Sequence, residues 1–194
     1  LKALVGECVC SECRKRWHKW LKDKYGTIEN LNQAWGTEIW SEYYNSFEEV
    51  VQPLNPPVIH NSSLMTNYRQ FSRETVNEFA HEQAAMIRKY SNAPITHDVH
   101  TNFALDTHTL FEGLDFTSMN GYTQDDGYNI WLFDYDLYRA MKQDGQFFVS
   151  ETSPSYAGNL LMTTRPHREG FLEIEALGAY ASGAFGFSYW LFRQ

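Results

Sequence analysis

From about residue 62 onward the chain alternates four times between stretches with helical spacing and short apolar runs, and this alternation limits the fold more than any other feature. Ser62 or Ser63 can cap a helix whose apolar positions Leu64, Tyr68, Phe71, Phe79, Met86 and Ile87 follow three-and-four spacing up to Tyr90. Pro94 punctuates it, and Ile95 to Val99 predicts a strand. A short helix over 106–112, a strand from Leu114 to Met119 and a helix over 131–143 follow. Gly145 is placed to end that helix, and Gln146-Phe147-Phe148-Val149-Ser150 has the aromatic and β-branched content of a buried strand. After a loop with Pro154, Gly158 and Pro166, a helix over 168–181 leads through Gly183 into a last strand from Ala184 to Trp190.

Parallel strands joined by helices form either an open doubly wound sheet or a closed eight-stranded barrel, and a complete barrel needs about 250 residues. With 194 residues and four helix–strand units, the chain reads as α/β, the second half of a TIM (β/α)8 barrel. No G-x-G-x-x-G turn follows any strand, which argues against a dinucleotide site. Residues 1–61 differ in texture, with Trp17, Trp20, Trp35 and Trp40 set among charged residues and a Pro53 to Pro57 segment closing the stretch. We read 1–61 as a cysteine-bearing insertion between a strand and its helix, forming one wall of the site, and 62–194 as the half-barrel itself. Barrel enzymes carry function in the loops at strand carboxyl ends.

Twenty-four acidic residues against 16 basic ones give a net charge of −8, the wrong sign for an extended phosphate-neutralising surface, so nucleic acid is not an expected partner. No apolar run reaches the roughly 20 residues that span a bilayer, so no membrane partner is expected either. Leu1 to Val5 is too short for a signal-peptide core, and the chain reads as entered partway. The three cysteines all fall within six positions, so they cannot staple distant parts of a secreted fold. A local metal site fits them better, and a cytoplasmic compartment is favoured.

Cys8-x-Cys10-x-x-Cys13 offers three sulfurs within one turn, which suits a structural zinc ion, with free thiols as the bland alternative. A fourth ligand would come from a histidine such as His18 or from outside this chain. Glu151 ends an otherwise apolar strand, so it is either a salt-bridge partner or a group with a chemical role at the barrel mouth. Asn120 and Tyr122, and Asn102 and Phe103, follow the two preceding strands and would share its rim. Tyr189, Trp190 and Phe192 close the last strand, and flat aromatic faces can cover a sugar ring. Any one of these aromatics could equally fill core. His97, Asp98 and His100 read as loop or pocket residues, and Asp125-Asp126 and Glu48-Glu49 as solvated faces. Neither a His-Glu-x-x-His arrangement nor a G-x-S-x-G elbow is present.

The order of motifs resembles the β-galactosidases of glycoside hydrolase family 42. Gly6-Glu7-Cys8-Val9-Cys10-Ser11-Glu12-Cys13, Trp20-Leu21-Lys22, Lys24-Tyr25-Gly26-Thr27 and Leu31-Asn32-Gln33-Ala34-Trp35-Gly36-Thr37 look like that family's insertion after the fourth barrel strand. Ser118-Met119-Asn120-Gly121-Tyr122 is similar to its sixth-strand motif, which usually has Asp in place of Asn120. Glu151-Thr152-Ser153-Pro154-Ser155 resembles its nucleophile segment, and Tyr189-Trp190-Leu191-Phe192-Arg193-Gln194 its eighth-strand ending. The resemblance implies a retaining glycosidase acting on terminal β-galactosides. Glu151 would be the catalytic nucleophile, Tyr122, Asn120 and Trp190 would bind substrate, and Cys8, Cys10 and Cys13 would hold zinc. The family's acid/base glutamate falls near Ala3, where this chain reads Lys2-Ala3-Leu4, and a family tryptophan near Leu160 is also replaced. Glu7 matches a separate position. The implied partners are a β-galactoside, the remainder of the barrel or another subunit, and further copies of the chain in a homo-oligomer. Two readings from other classes stand beside this one: a carbohydrate-binding or structural remnant without catalysis, and a zinc-stabilised interaction module built on 1–61.

Overall fold

A computed structural model describes residues 8–53, 61–100, 103–122, 127–154 and 167–190, apart from the Trp40 side chain. The chain divides into two compact units, Leu1–Glu78 and Phe79–Gln194, with the boundary inside one long helix.

The first unit holds α1 (Ser11–Tyr25), α2 (Ile28–Trp35), short 3-10 turns at Ile39–Ser41 and Phe47–Glu49, and the start of α3 (Ser62–Ile87). Each of the first two helices is started by a side chain that satisfies an orphan amide: Cys10 Sγ accepts from Cys13 N–H, and Thr27 Oγ1 from Asn30 N–H. Trp17 and Leu21 of α1 then meet Leu31, Trp35, Val50, Leu64, Tyr68 and Phe71 in one buried cluster. Trp17 stacks on Trp20 with ring centroids 5.4 Å apart and meets Tyr68 edge-on at 5.1 Å. Of the tryptophans that set this stretch apart in sequence, Trp17 and Trp35 are thus core and Trp20 packs against it.

In the second unit, β1 (Asp98–Val99), β2 (Thr117–Asn120), β3 (Phe147–Glu151) and β4 (Ala184–Phe187) form one sheet in the order β1-β2-β3-β4, every pairing parallel. Between them lie α4 (Thr107–Glu112), α5 (Tyr128–Ala140) and α6 (Phe171–Ala181). This is the α/β alternation that the sequence predicts. Val99, Met119, Phe147, Val149 and Ala184 pack one face of the sheet against Leu110, Phe111, Trp131, Tyr135, Tyr138 and Ala179 of the helices. Two buried polar groups inside this layer are matched, since Thr117 Oγ1 donates to the Tyr138 carbonyl at 3.0 Å and the Tyr138 hydroxyl to the Val99 carbonyl at 2.7 Å, whereas Trp131 Nε1 finds no partner among the described residues. At Gly178 of α6 a Cβ atom would lie 2.5 Å from the Trp131 ring, so the approach of α5 and α6 requires glycine there.

Several element ends differ from expectation. β1 pairs only over Asp98–Val99, because at Ile95 the N–H is taken by the Asp115 carboxylate at 2.7 Å and the Thr96 hydroxyl reaches the Phe116 carbonyl at 2.7 Å. One main-chain bond remains there, from Asp115 N–H to the Ile95 carbonyl at 2.9 Å, and side chains make the rest. Leu114 belongs to the turn after α4 and fills core, so β2 starts at Thr117. α5 ends at Ala140, and Gly145 serves the turn into β3 instead, where its φ of +64° suits a residue without a side chain. α3 stops at Ile87, α6 starts at Phe171, and β4 stops at Phe187.

Candidate active site

The strand Phe147-Phe148-Val149-Ser150-Glu151 buries Phe147 and Val149 completely. Side chains alternate between the two faces of a strand, so strict alternation would drive Glu151 into the helix-packed core beside them. The pairing register prevents this. It steps from Met119↔Val149 to Asn120↔Glu151, leaving Ser150 as the extra residue of a β-bulge. Glu151 therefore shares a face with its partner Asn120, and with Asp98, whose Oδ2 accepts from Asn120 Nδ2 at 3.0 Å. Ser150 Oγ steadies the irregularity, its one proton shared between the Met119 carbonyl at 2.9 Å and Asn120 Oδ1 at 3.0 Å. Gly121 N–H donates to the Glu151 carbonyl at 2.7 Å.

At the end of β3 the Glu151 carboxylate is half-buried, and its Oε2 accepts the Tyr122 hydroxyl at 2.6 Å. No cationic side chain pairs with it among the described residues. Burial, the bond to Glu151, and the charges of Glu151 and Asp98 all push the Tyr122 phenol well above its ordinary value, so it stays a donor. A carboxylate held by one phenol at a strand tip has a free oxygen to present to a ligand.

The structure brings Glu151, Tyr122 and Asn120 together. Trp190 lies at the end of β4's continuation, 44% exposed, and its N–H donates to the Thr152 carbonyl at 2.6 Å. Tyr189 places its ring edge against Phe187. Phe103 departs from the rim expected for it: it packs against the core and meets the His100 ring edge-on. Glu7, Asn102, Asp125, Asp126, Leu160 and Phe192 lie outside the described residues. Sequence reasoning missed Ser150 and the pair Thr152–Glu175. The second had a visible signal, since Phe171, Glu175 and Ala179 recur every four residues and all are buried.

In the first unit, the Sγ atoms of Cys8, Cys10 and Cys13 all lie within 4.8 Å of one another, and those of Cys8 and Cys10 are 3.5 Å apart. A tetrahedral thiolate site with arms of about 2.3 Å has sulfur–sulfur edges near 3.8 Å, so the three residues can take a metal. The Cys13 N–H, followed by the neighbouring thiols, holds Cys10 down at about 7, whereas the bond to Cys8 and burial push Cys13 up to about 12. His18 does not join the group among the described residues. It sits five positions beyond Cys13 on α1, turned about 140° around the helix, with Nε2 3.2 Å from the Val50 carbonyl.

A family model described as β-galactosidase of glycoside hydrolase family 42 matches residues 2–194. The chain is 49% identical over 193 residues to β-galactosidase YesZ of Bacillus licheniformis and 48% identical to that of Bacillus subtilis. Each of these matches covers 100% of this chain but 29% of the relative's length. Among solved structures, a polyextremophilic β-galactosidase from the Antarctic haloarchaeon Halorubrum lacusprofundi superposes with a TM-score of 0.86 at 29% identity, over 94% of this chain and 30% of that one. The motifs around Cys8, Asn120 and Glu151 therefore sit in an alignment that runs nearly end to end, and the chain belongs to the glycoside hydrolase family 42 β-galactosidases.

Proposed function

We propose that this chain is the second half of the (β/α)8 barrel of a retaining β-galactosidase, with 62–194 supplying four helix–strand units and 1–61 an insertion after the fourth strand. The observation that carries the reading is the bulge at Ser150, which turns Glu151 away from the helix-packed layer and onto the tip face beside Asn120 and Tyr122. Glu151 is the nucleophile: a carboxylate oxygen attacks the anomeric carbon as the glycosidic C–O bond breaks, and the departing oxygen takes a proton from a general acid. Water then attacks the same carbon, its proton passes to that group now acting as base, and the Glu151 carboxylate is regenerated. The Tyr122 hydroxyl holds Oε2 and orients the other oxygen, while Asn120 and Trp190 contact the sugar. The general acid lies beyond the described residues.

Two displacements at one carbon restore its configuration. The first-formed galactose should therefore be the β-anomer, observed by proton NMR in the first minutes before mutarotation; an initial α-anomer overturns the nucleophile assignment.

Cys8, Cys10 and Cys13 would hold a structural zinc ion that fixes the start of α1 and takes no part in the chemistry, with the fourth ligand supplied from outside this chain. Metal analysis of the complete protein after extensive dialysis should give close to one zinc per chain, and Cys10→Ser should lower that content sharply. Undiminished zinc in the variant would remove the cysteines from the site. A β-galactoside, the rest of the barrel and further copies of the chain are the partners this reading requires.

A further inference from the structure

The residue after Glu151 is tied to α6 by a buried side-chain pair that the chemistry above does not use. Thr152 Oγ1 donates to Glu175 Oε1 at 2.9 Å, and both residues are nearly inaccessible, at 2% and 1% exposure. A carboxyl group buried this deeply is costly to desolvate, and a leucine would fill the space against Phe171 and Ala179 without that cost. Its position accounts for its presence. Thr152 N–H donates to the Ser188 carbonyl at 3.2 Å, its carbonyl accepts from Trp190 N–H, and Ser188 Oγ donates to the Ser150 carbonyl at 2.5 Å. The backbone on both sides of Glu151 is thereby pinned to the continuation of β4, and the bond from Thr152 to Glu175 adds an anchor from a helix. A bulged strand end is where such an anchor matters, because one unpaired residue loosens the ladder that would otherwise set the side chain's direction.

We propose that Glu175 is a positioning residue, which through the Thr152 hydroxyl fixes the direction in which Glu151 leaves the bulge. This rests on Glu151 being the nucleophile. A displaced nucleophile loses attack geometry, while substrate binding through the aromatic and amide contacts persists, so the effect falls on kcat rather than on KM.

The test is steady-state hydrolysis of an aryl β-galactoside by the complete protein, with kcat expressed per active site titrated by a slow covalent 2-fluorogalactoside. Thr152→Val and Glu175→Leu should each lower kcat by about 10- to 100-fold with KM within about threefold. The double variant should be no worse than Glu175→Leu alone, because that change already removes the acceptor of the Thr152 hydroxyl. Thr152→Ser and Glu175→Gln keep a donor and an acceptor and should recover most of the rate. If Glu175→Leu does not fold, the Thr152→Val and Thr152→Ser pair carries the comparison alone. A Thr152→Val protein with wild-type kcat per titrated site, or single effects that multiply in the double variant, overturns the proposal while leaving Glu151 as nucleophile. A wild-type protein that hydrolyses no β-galactoside overturns the nucleophile reading itself, and this proposal with it.

Discussion

Glu151→Gln in the complete protein is expected to reduce hydrolysis of an aryl β-galactoside by on the order of 10⁴- to 10⁶-fold, the range seen when a catalytic residue is removed from a preorganised site. The substitution keeps side-chain volume, and the amide oxygen can still accept the Tyr122 hydroxyl at the position now 2.6 Å away, so the fold should be unaffected. What is lost is the negative oxygen that forms the bond to carbon and, before that, opposes the positive charge developing at the anomeric centre. An aryl leaving group needs little protonation, so the measurement isolates the nucleophile from the acid. The steady-state rate constant checks it, with circular dichroism as the control for folding. A variant that keeps more than about a tenth of the wild-type rate is incompatible with covalent catalysis by Glu151.

The second large effect is on stability. Trp17→Ala should destabilise the first unit by about 3–5 kcal/mol, the usual range for deleting a buried aromatic. Trp17 is inaccessible to solvent, contacts Trp20, Tyr68 and Phe71 with its ring, and donates from Nε1 to the Val50 carbonyl at 3.1 Å. That carbonyl keeps His18 Nε2 as a neighbour at 3.2 Å, so the cost comes mainly from the cavity and lost ring contacts rather than from an orphaned acceptor. Hydrogen exchange reads this locally: the amides of Leu21 and Leu31 should exchange hundreds of times faster or more, and those of Tyr135 and Val149 should not change, since they belong to the other cluster. Unchanged exchange at Leu21 would mean that the Trp17 cluster does not hold the first unit together.

The alternation of helices and strands in the second unit was legible because each apolar run buries a face and each helix carries a spaced apolar stripe. Strand ends were less legible. Ile95 looks like strand, yet its N–H goes to a carboxylate twenty residues on, a contact no local pattern announces. At β2, Leu114 is apolar because it closes the turn after α4, not because it continues a strand. The chemically decisive feature was hidden in the same way. Val149-Ser150-Glu151 written as a line puts Glu151 on the buried face, and only the two-against-one pairing with Met119-Asn120 turns it outward. The family resemblance pointed to Glu151 and Tyr122 without supplying that reason. Glu175 was overlooked because a glutamate in a helix normally faces water, although its four-residue spacing from Phe171 and Ala179 already placed it on the inward stripe. The cysteines were legible as a group because their spacing fits one turn, whereas His18 was not excludable until its place on α1 was known.

The most direct measurement follows from the covalent step. A 2-deoxy-2-fluoro-β-galactoside with a good leaving group slows the second displacement more than the first, so the glycosyl-enzyme accumulates. Digestion and mass spectrometry of the complete protein should find one fluorogalactosyl group, on the peptide containing Glu151 and attached to that carboxylate. Attachment to any other carboxylate, or steady hydrolysis of galactosides with no peptide ever labelled, would contradict the account.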